Sequence, residues 1–526
     1  VFHLLNVGGV LVMSTMQIRI VHLAAVLLLL FATTPGFGRE KADRRFSWVD
    51  AVSRVALAAA GLGASLYVMS RWQEIAFSGG MTTRTDAWVG LLIVLLVLEG
   101  ARRRVGLALS LITALFFVYP FVSPYLPGQL YGRGYSVERV STFLTTTTEG
   151  IYGIPLGVSA TYIVMFTIFG AFLSAFGAGD FFFGLASRLT RTMRAASAKT
   201  AVVFSALLGM ISGSAAGNVA VTGTLTIPMM KREGYQPHQA AAIEAVVSTG
   251  GQIMPPVMGA AAFIMAEIIG QPYSSIMQAA LIPAILFFLS ILIIVHLQAV
   301  KLGITGIPAT PEAPMALGPL LLSGVPYIVS FGTLVGLMVW GYSPFKASFA
   351  ALGLLLVLCA IWQRPRPLDF LSRALDAIEA GVKAIVPIAV ACAAAGIISG
   401  TLAMSGLGSK ISSLIIGASA GMPVVALVLT MLVAVASYVA ASIADSNINK
   451  VSWTAFRYGL TSYILPFMFF FGPALLMQGT AVEIVTAAIS GVISVFCFAA
   501  GIVGWLRRSL GPALRLLLIG AGLLLL

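Results

Sequence analysis

The stretch ISGSAAGNVAVTGTLTIPMMKREGY, Ile211 to Tyr235, is followed by STGGQIMPPVMG, Ser248 to Gly259, and both set polar and helix-breaking residues inside an almost uninterrupted apolar chain. Lipid offers no water to loose peptide groups, so interrupted backbone at membrane depth survives only where protein buries it or it lines a cavity. A half-helix that stops there leaves free N–H groups at one end and free C=O groups at the other, with partial charges of opposite sign. Carbonyls and hydroxyls suit Na+; helix N-termini suit a carboxylate. The expected ion-binding groups are therefore Ser212, Gly213, Ser214 and Asn218 at a hairpin tip, with Gly250 and Gly251 at a second break, and Na+ is the only metal expected. Gln252, Pro255, Pro256, Thr222 and Glu244 are expected to face solute. The paired prolines remove amide donors and keep the helix from closing over the gap, and an intramembrane carboxylate such as Glu244 is a functional candidate by default.

The competing reading of SGSAAG is close helix packing, since small residues let transmembrane backbones approach with no ligand at all. Asn218 and the paired-proline break nearby favour the ion site. Thr222 and Thr226 either face the site or bond to their own helix, and Glu267 lies nearer the outer interface than Glu244. The run Thr145 to Thr148 is expected as an extracellular loop. His22, His238 and His296 form no ligand cluster, and Cys359, Cys392 and Cys497 have no metal-ligand spacing. No enzyme chemistry is expected: HExxH and GxxxxGK[ST] are absent.

The elements that must position these residues cross a bilayer. Of 526 residues, 59% are apolar and 9% charged, and mean hydropathy is +1.00, well outside the range of soluble globular chains. The net charge of +13 comes from Lys and Arg in short inter-helix loops, where topology calls for them, so no nucleic-acid partner is expected. Windows long enough for about 30 Å of hydrocarbon predict spans at 18–34, 50–69, 85–101, 105–123, 154–176, 240–268, 276–299, 317–340, 345–362, 382–404, 422–444, 456–477 and 482–505, with a last apolar run at 513–526. Between 200 and 230, two half-length apolar runs meet at Ser212 to Asn218, the pattern of a re-entrant hairpin. Basic clusters such as Arg102 to Arg104, Arg188/Arg191/Arg194 and Arg364/Arg366 alternate consistently with neutral loops only if 200–230 returns to its own side; Val1 is then outside.

An internal repeat is visible. IFGAFLSAFGAG (Ile168 to Gly179) resembles AAGIISGTLAMSGLG (Ala394 to Gly408), and the segment Ala260 to Phe288 resembles Val439 to Phe470. The two units begin from opposite sides, the inverted-repeat architecture of secondary transporters. Gly179 to Pro283 covers 104 positions but Gly408 to Pro466 only 58, so about 46 residues that the repeat leads one to expect are absent from the second unit.

The block SAKTAVVFSALLGMISGSAAGNVAVTGTLTIPMMKREGY, with EAVVSTGGQIMPPVMGAAAFIMAEIIG, TEGIYGIPLGVSATYIVMF and GAGDFFFGLA, closely resembles the large permease of TRAP transporters, and specifically the fused small-plus-large permeases of the TAXI type. The resemblance runs from about Leu23 to Leu506. It implies an all-α polytopic membrane protein of inverted-repeat, ion-transporter-like elevator fold. It also implies a bacterial or archaeal cytoplasmic (inner) membrane location and uptake of a small organic anion, a carboxylate for choice, delivered by an extracytoplasmic TAXI-type solute-binding protein. Na+ would be the coupling ion, with no other cofactor. The implied organisation is 1–135 as small-subunit-like helices, 136–300 as the first repeat unit with hairpin 200–230 and broken helix 240–268, 301–380 as scaffold, 381–506 as a shortened second unit and 507–526 as a C-terminal apolar segment. Two departures stand out. Such permeases have a further helix ahead of the segment opening this chain, so the N-terminus reads as shortened. The second hairpin with a Gly-Leu-Pro-Thr tip and the Thr-Pro-Pro break are missing where Thr430 to Ser437 runs directly into Tyr438 to Lys450. The alternatives to a coupled permease are a membrane-inserted, transport-inactive remnant and an uncoupled channel.

Overall fold

A computed structural model of the protein describes residues 2–36, 47–78, 80–304, 316–418, 448–460 and 472–525. The expected span 422–444 and the middle of 456–477 lie outside these residues. Among the described residues there is no strand, only an isolated antiparallel bridge between Trp505 and Ser509, and nine helices are long and apolar enough to cross a membrane. The chain is an all-α polytopic membrane protein.

The helices are α1 (Phe2–Val7), α2 (Thr15–Thr33), α3 (Ser47–Phe77), α4 (Arg84–Arg104), α5 (Leu107–Val122), α6 (Val137–Thr146) and α7 (Ile154–Ala175, with a π-helical turn at Ser159–Ile163). After them come α8 (Ala178–Thr190), α9 (Ala196–Ser212), α10 (Ala215–Glu233), α11 (Pro237–Gly250), α12 (Ala260–Ile269), α13 (Tyr273–Leu302) and α14 (Leu317–Val339). The last are α15 (Pro344–Gln363), α16 (Pro367–Ser405), α17 (Leu407–Ala418), α18 (Ile448–Tyr458), α19 (Ala481–Val503) and α20 (Pro512–Leu524).

Several ends differ from the hydropathy windows, each for a local reason. The third expected span starts one residue earlier because Thr83 and Asp86 form a capping box that starts α4, and it runs on through Arg102 to Arg104, which an apolar window leaves out. Helix α16 begins well before the expected 382, its first turns carrying Asp369, Arg373, Asp376, Glu379 and Lys383, which an apolar window cannot see. At about 58 Å it is longer than the hydrocarbon is thick.

The run Thr145 to Thr148 is not all loop: Thr145 and Thr146 close α6, their hydroxyls donating to the carbonyls of Ser141 (2.8 Å) and Thr142 (2.7 Å). That back-bonding lets threonines end a helix whose start is capped by Ser136. The expected crossing 456–477 is not one helix at its described ends, since α18 stops at Tyr458 and a 3-10 turn occupies Pro473–Leu476. Helices α6 and α8 have no counterpart among the expected spans, because both are too short and too polar to register as crossings.

Contacts divide the chain into two units, residues 1–168, 263–269 and 378–426 in one and 169–262, 270–377 and 427–526 in the other. In the first unit, Leu27, Leu30, Phe31, Val94, Val97, Leu144, Tyr152, Val390 and Ile397 form a common core. Lipid tails are as apolar as these side chains, so burial alone drives little association, and close approach has to come from small residues. Gly90 is one: a Cβ there would lie 2.7 Å from the Ser141 carbonyl oxygen. The second unit uses alanine for the same purpose. Ala198, Ala201, Ala240, Ala241, Ala242 and Ala245 are buried and bring α9, α10 and α11 together around Val219, Ile227 and Met230.

Candidate transport site

The hairpin is built by two adjacent caps. Gly213 takes the left-handed conformation (φ +57°) that ends α9, donating its N–H to the Gly209 carbonyl at 3.3 Å, and Ser214 turns extended to start α10, its hydroxyl accepting from Gly217 N–H at 3.3 Å. Gly234 (φ +108°) closes α10 at its other end. Helices of 17 and 19 residues give arms of about 26 and 28 Å. The expected hairpin 200–230 is thus present, four residues longer at its start and three at its end.

The second break follows α11. Pro237 at the first helical turn and the Gln236/Gln239 capping box start this helix, and it stops at Gly250 after 14 residues. A 3-10 turn over Gly251–Ile253 leads into irregular backbone, with Met258 at φ +52°, before α12 begins at Ala260. Gly259 N–H donates to the Gln252 carbonyl at 2.7 Å and so closes the loop on itself. The Tyr273 hydroxyl of α13 lies 2.7 Å from both the Pro256 and the Val257 carbonyl oxygens and anchors the far side.

These two interruptions meet. A Cβ on Gly209 would sit 2.4 Å from Gly251 Cα, one on Gly213 would sit 2.2 Å from the Met258 carbonyl oxygen, and one on Gly250 would sit 2.0 Å from the Phe287 ring. No side chain fits at those contacts: Gly209 and Gly213 allow backbone-to-backbone approach, and Gly250 makes room for the Phe287 ring. Ser212, Gly213 and Ser214 are half-buried at the tip, whereas Asn218 sits one turn into α10 and is fully buried. Its Nδ2 donates to the Ser205 carbonyl at 3.0 Å; its Oδ1 has no hydrogen-bond partner, and neither has the buried Ser212 Oγ. A carbonyl-type oxygen buried without a donor is uncommon and costs about 1–3 kcal/mol.

The residues expected to face solute fall into three settings. Gln252 is exposed, beside the exposed Thr249 and Ile253. Pro255 and Pro256 are buried in the break, under the hydroxyl of Tyr273. Thr222 and Glu244 are fully buried between the hairpin and α11, where Glu244 is surrounded by the hydroxyls of Ser205, Thr222, Thr226 and Ser248. Thr222 and Thr226 do both things that their positions allow, facing Glu244 and donating to the carbonyls of Asn218 (2.8 Å) and Thr222 (2.9 Å) on their own helix.

Ser205, Ser248 and Tyr273 were not among the expected site residues. Ser248 is four residues beyond Glu244 on one helix face and was legible at that spacing; Ser205 and Tyr273 come from other helices and carried no local signal. Glu267 belongs to the first unit, where it accepts from the Tyr162 hydroxyl at 3.0 Å. At the loop end of α10, burial pushes the Glu233 carboxyl up from its ordinary range against the opposing effect of the Ser197 N–H, which donates to it at 3.0 Å.

Residues 92–435 match the family described as "Tripartite ATP-independent periplasmic transporter, DctM component", a span that contains the hairpin, both breaks and the Glu244 cluster. The chain belongs to this family. The DctM component is the large permease of TRAP transporters, so the chain is a multi-pass membrane protein of a transporter family and not of an enzyme family. A Sinorhizobium fredii (strain NBRC 101917 / NGR234) protein described as "Uncharacterized protein y4mL" is 27% identical over 145 residues, which is 28% of this chain and 34% of that protein. The match thus spans about a third of that relative's length. In this TRAP permease, then, the interrupted backbones are held at one place in the second unit, with oxygen acceptors unpartnered on the hairpin side of the contact.

Proposed function

We propose that the chain is the permease component of a binding-protein-dependent secondary transporter that takes up a small organic anion of the carboxylate class together with Na+. One observation carries the reading: two interrupted helices are in backbone contact at Gly209, Gly213, Gly251 and Met258, and buried Asn218 Oδ1 and Ser212 Oγ stand there without partners. Oxygen acceptors without donors are what a dehydrated monovalent cation satisfies. Exposed Gln252, just past the end of α11 where the helix is interrupted, supplies a neutral amide group to a carboxylate.

The motif blocks support a fused small-plus-large permease of the TAXI type, with an extracytoplasmic solute-binding protein as partner and an elevator movement in the cytoplasmic membrane. Each positive charge carried inward gains about 2.3 kcal/mol per 100 mV, so two Na+ with one monoanion would accumulate solute. The test is uptake into proteoliposomes by the full chain with its binding protein, a Na+ gradient and an inside-negative potential. Concentrative, Na+-dependent uptake is expected of the working permease; uptake indifferent to Na+ would refute the coupling.

The shortened second repeat favours a second reading, a membrane-inserted permease that does not couple. The segment Met422 to Ala444, outside the described residues, has 23 positions where the repeat calls for a hairpin and a broken helix. On this reading the chain as it stands fails to concentrate solute and a version with the absent block restored succeeds. Equal uptake by the two would remove it.

A further inference from the structure

We propose that Glu244, within its ring of hydroxyls, is a proton-binding site of this permease, separate from the Na+ site at the hairpin tip. The carboxyl group is fully buried and has no cation beside it among the described residues. A bare carboxylate is expensive to hold away from water without a counter-charge, and hydroxyl dipoles reduce that cost without cancelling the charge.

The ring is arranged to accept the proton at one oxygen. Three hydroxyls converge on Oε1, those of Ser205 (3.2 Å), Ser248 (3.1 Å) and Thr222, whereas Oε2 has Thr226 alone. A hydroxyl owns a single proton and can also accept. With Glu244 ionised, Thr226 donates to Oε2. With Glu244 neutral, the Oε2 hydroxyl donates to Thr226 Oγ1, and Thr226 turns its own proton to the Thr222 carbonyl at 2.9 Å. Thr222 has the same choice between Oε1 and the Asn218 carbonyl at 2.8 Å. Each state leaves the carboxyl oxygens and both threonines satisfied, so one proton is gained or lost by rotating hydroxyls. The step forms one O–H bond on Oε2 at the expense of one O–H bond of a hydronium ion in the aqueous phase, with no electron transfer. Thr222 and Thr226 are both direct hydrogen-bond partners of the carboxylate.

Among the described residues, the hydrogen-bond partners of the Glu244 carboxyl are all hydroxyls. The charged and titratable groups on α9, α10, α13 and α18, and at the start of α11, are Lys199, Lys231, Arg232, Glu233, Tyr273, His296, Lys301, Lys450, Arg457, Tyr458 and His238. None of them is a hydrogen-bond or ion-pair partner of Glu244. Lys199 lies 3.3 Å from His296 Nδ1, Glu233 accepts from Ser197 N–H, Lys301 donates to the Val503 carbonyl and Arg457 to that of Ile502.

Infrared difference spectroscopy on the purified full chain, stepped between acid and alkaline buffer with neither Na+ nor solute, tests the assignment without transport. A carboxylic-acid C=O band that disappears on the alkaline step is expected in the parent and is lost in Glu244→Gln. Thr226→Val, similar in volume but without the acceptor, shifts that band. A parent without such a band, or a Glu244→Gln protein that keeps it, overturns the proposal. Should Glu244→Gln not fold, Glu244→Asp takes its place: a moved band or titration midpoint supports the site, and an unmoved one overturns it. Failure here leaves Na+-driven uptake standing, and failure of uptake leaves the band.

Discussion

Backbone comes into contact at glycine in both units of this permease, and the two contacts differ in what they leave unpaired. In the first unit, Gly396 and Gly400 of α16 lie against the loop 147–153: a Cβ on Gly396 would be 2.6 Å from the Gly150 carbonyl oxygen, and one on Gly400 would be 3.0 Å from Gly150 Cα. That loop is tied by its own neighbours. Ile151 N–H donates to the Leu144 carbonyl (2.7 Å), Gly153 N–H to that of Gly150 (2.9 Å), and Arg19 Nη1 to that of Tyr152 (2.7 Å). The Tyr152 hydroxyl is buried without a partner, a single neutral phenol. In the second unit, Gly209 and Gly213 approach Gly251 and Met258 as closely, but Asn218 Oδ1 and Ser212 Oγ are left over. Close approach at glycine is therefore what helix packing in lipid produces generally. A candidate ion site is marked by the unpaired acceptors beside it.

The largest effects should come from filling the contacts themselves. Gly213→Val adds a side chain 2.2 Å from a carbonyl oxygen at a residue with φ +57°, and should cost about 3 kcal/mol or more. Gly396→Ala in the other unit should cost about 1–3 kcal/mol. Thermal unfolding in detergent reads both; an unchanged Tm in either variant would contradict the close approach there.

Na+ should then separate the units. A saturating ion at about 100 times its Kd adds roughly 2.7 kcal/mol to stability. Ser212→Ala, which removes an unpartnered hydroxyl and strands nothing, should leave the Na+-free Tm near that of the parent and shrink the Na+-dependent rise. Asn218→Ala and Ser214→Ala should shrink it as well, whereas Ser399→Ala beside the Gly396 contact should leave it whole. Equal rises in all four variants would sink the tip assignment.

Smaller still is the anchor of the second break. Tyr273→Phe deprives the Pro256 and Val257 carbonyls of their donor and should lower stability by about 1–2 kcal/mol. Gln252→Ala, at an exposed position, should change stability by under about 0.5 kcal/mol while reducing solute uptake. If Gln252→Ala instead lowers Tm as far as Tyr273→Phe does, Gln252 is a structural residue and drops out of the solute site.

Nine of the expected crossings, the hairpin and the break after Gly250 were legible in the chain because hydropathy and helix punctuation act locally. A window of apolar residues must be buried in lipid, and Gly213-Ser214 or Pro255-Pro256 must interrupt a helix whatever surrounds it. Locality also explains the misses. Helix α6 and the first turns of α16 are charged or hydroxyl-rich, and are held by caps and back-bonds that hydropathy does not register. Which interruption meets which, and which oxygens go unpaired, depends on helices brought together from distant parts of the chain. Ser205 reaches Glu244 across 39 positions and Tyr273 reaches Pro256 from α13, past the whole of α12. From the sequence alone, then, came the lipid environment and the places where backbone is broken. Only the tertiary arrangement separated Glu244, enclosed by hydroxyls, from Asn218, left with a free acceptor, because a buried polar group is defined by the partners that other helices supply.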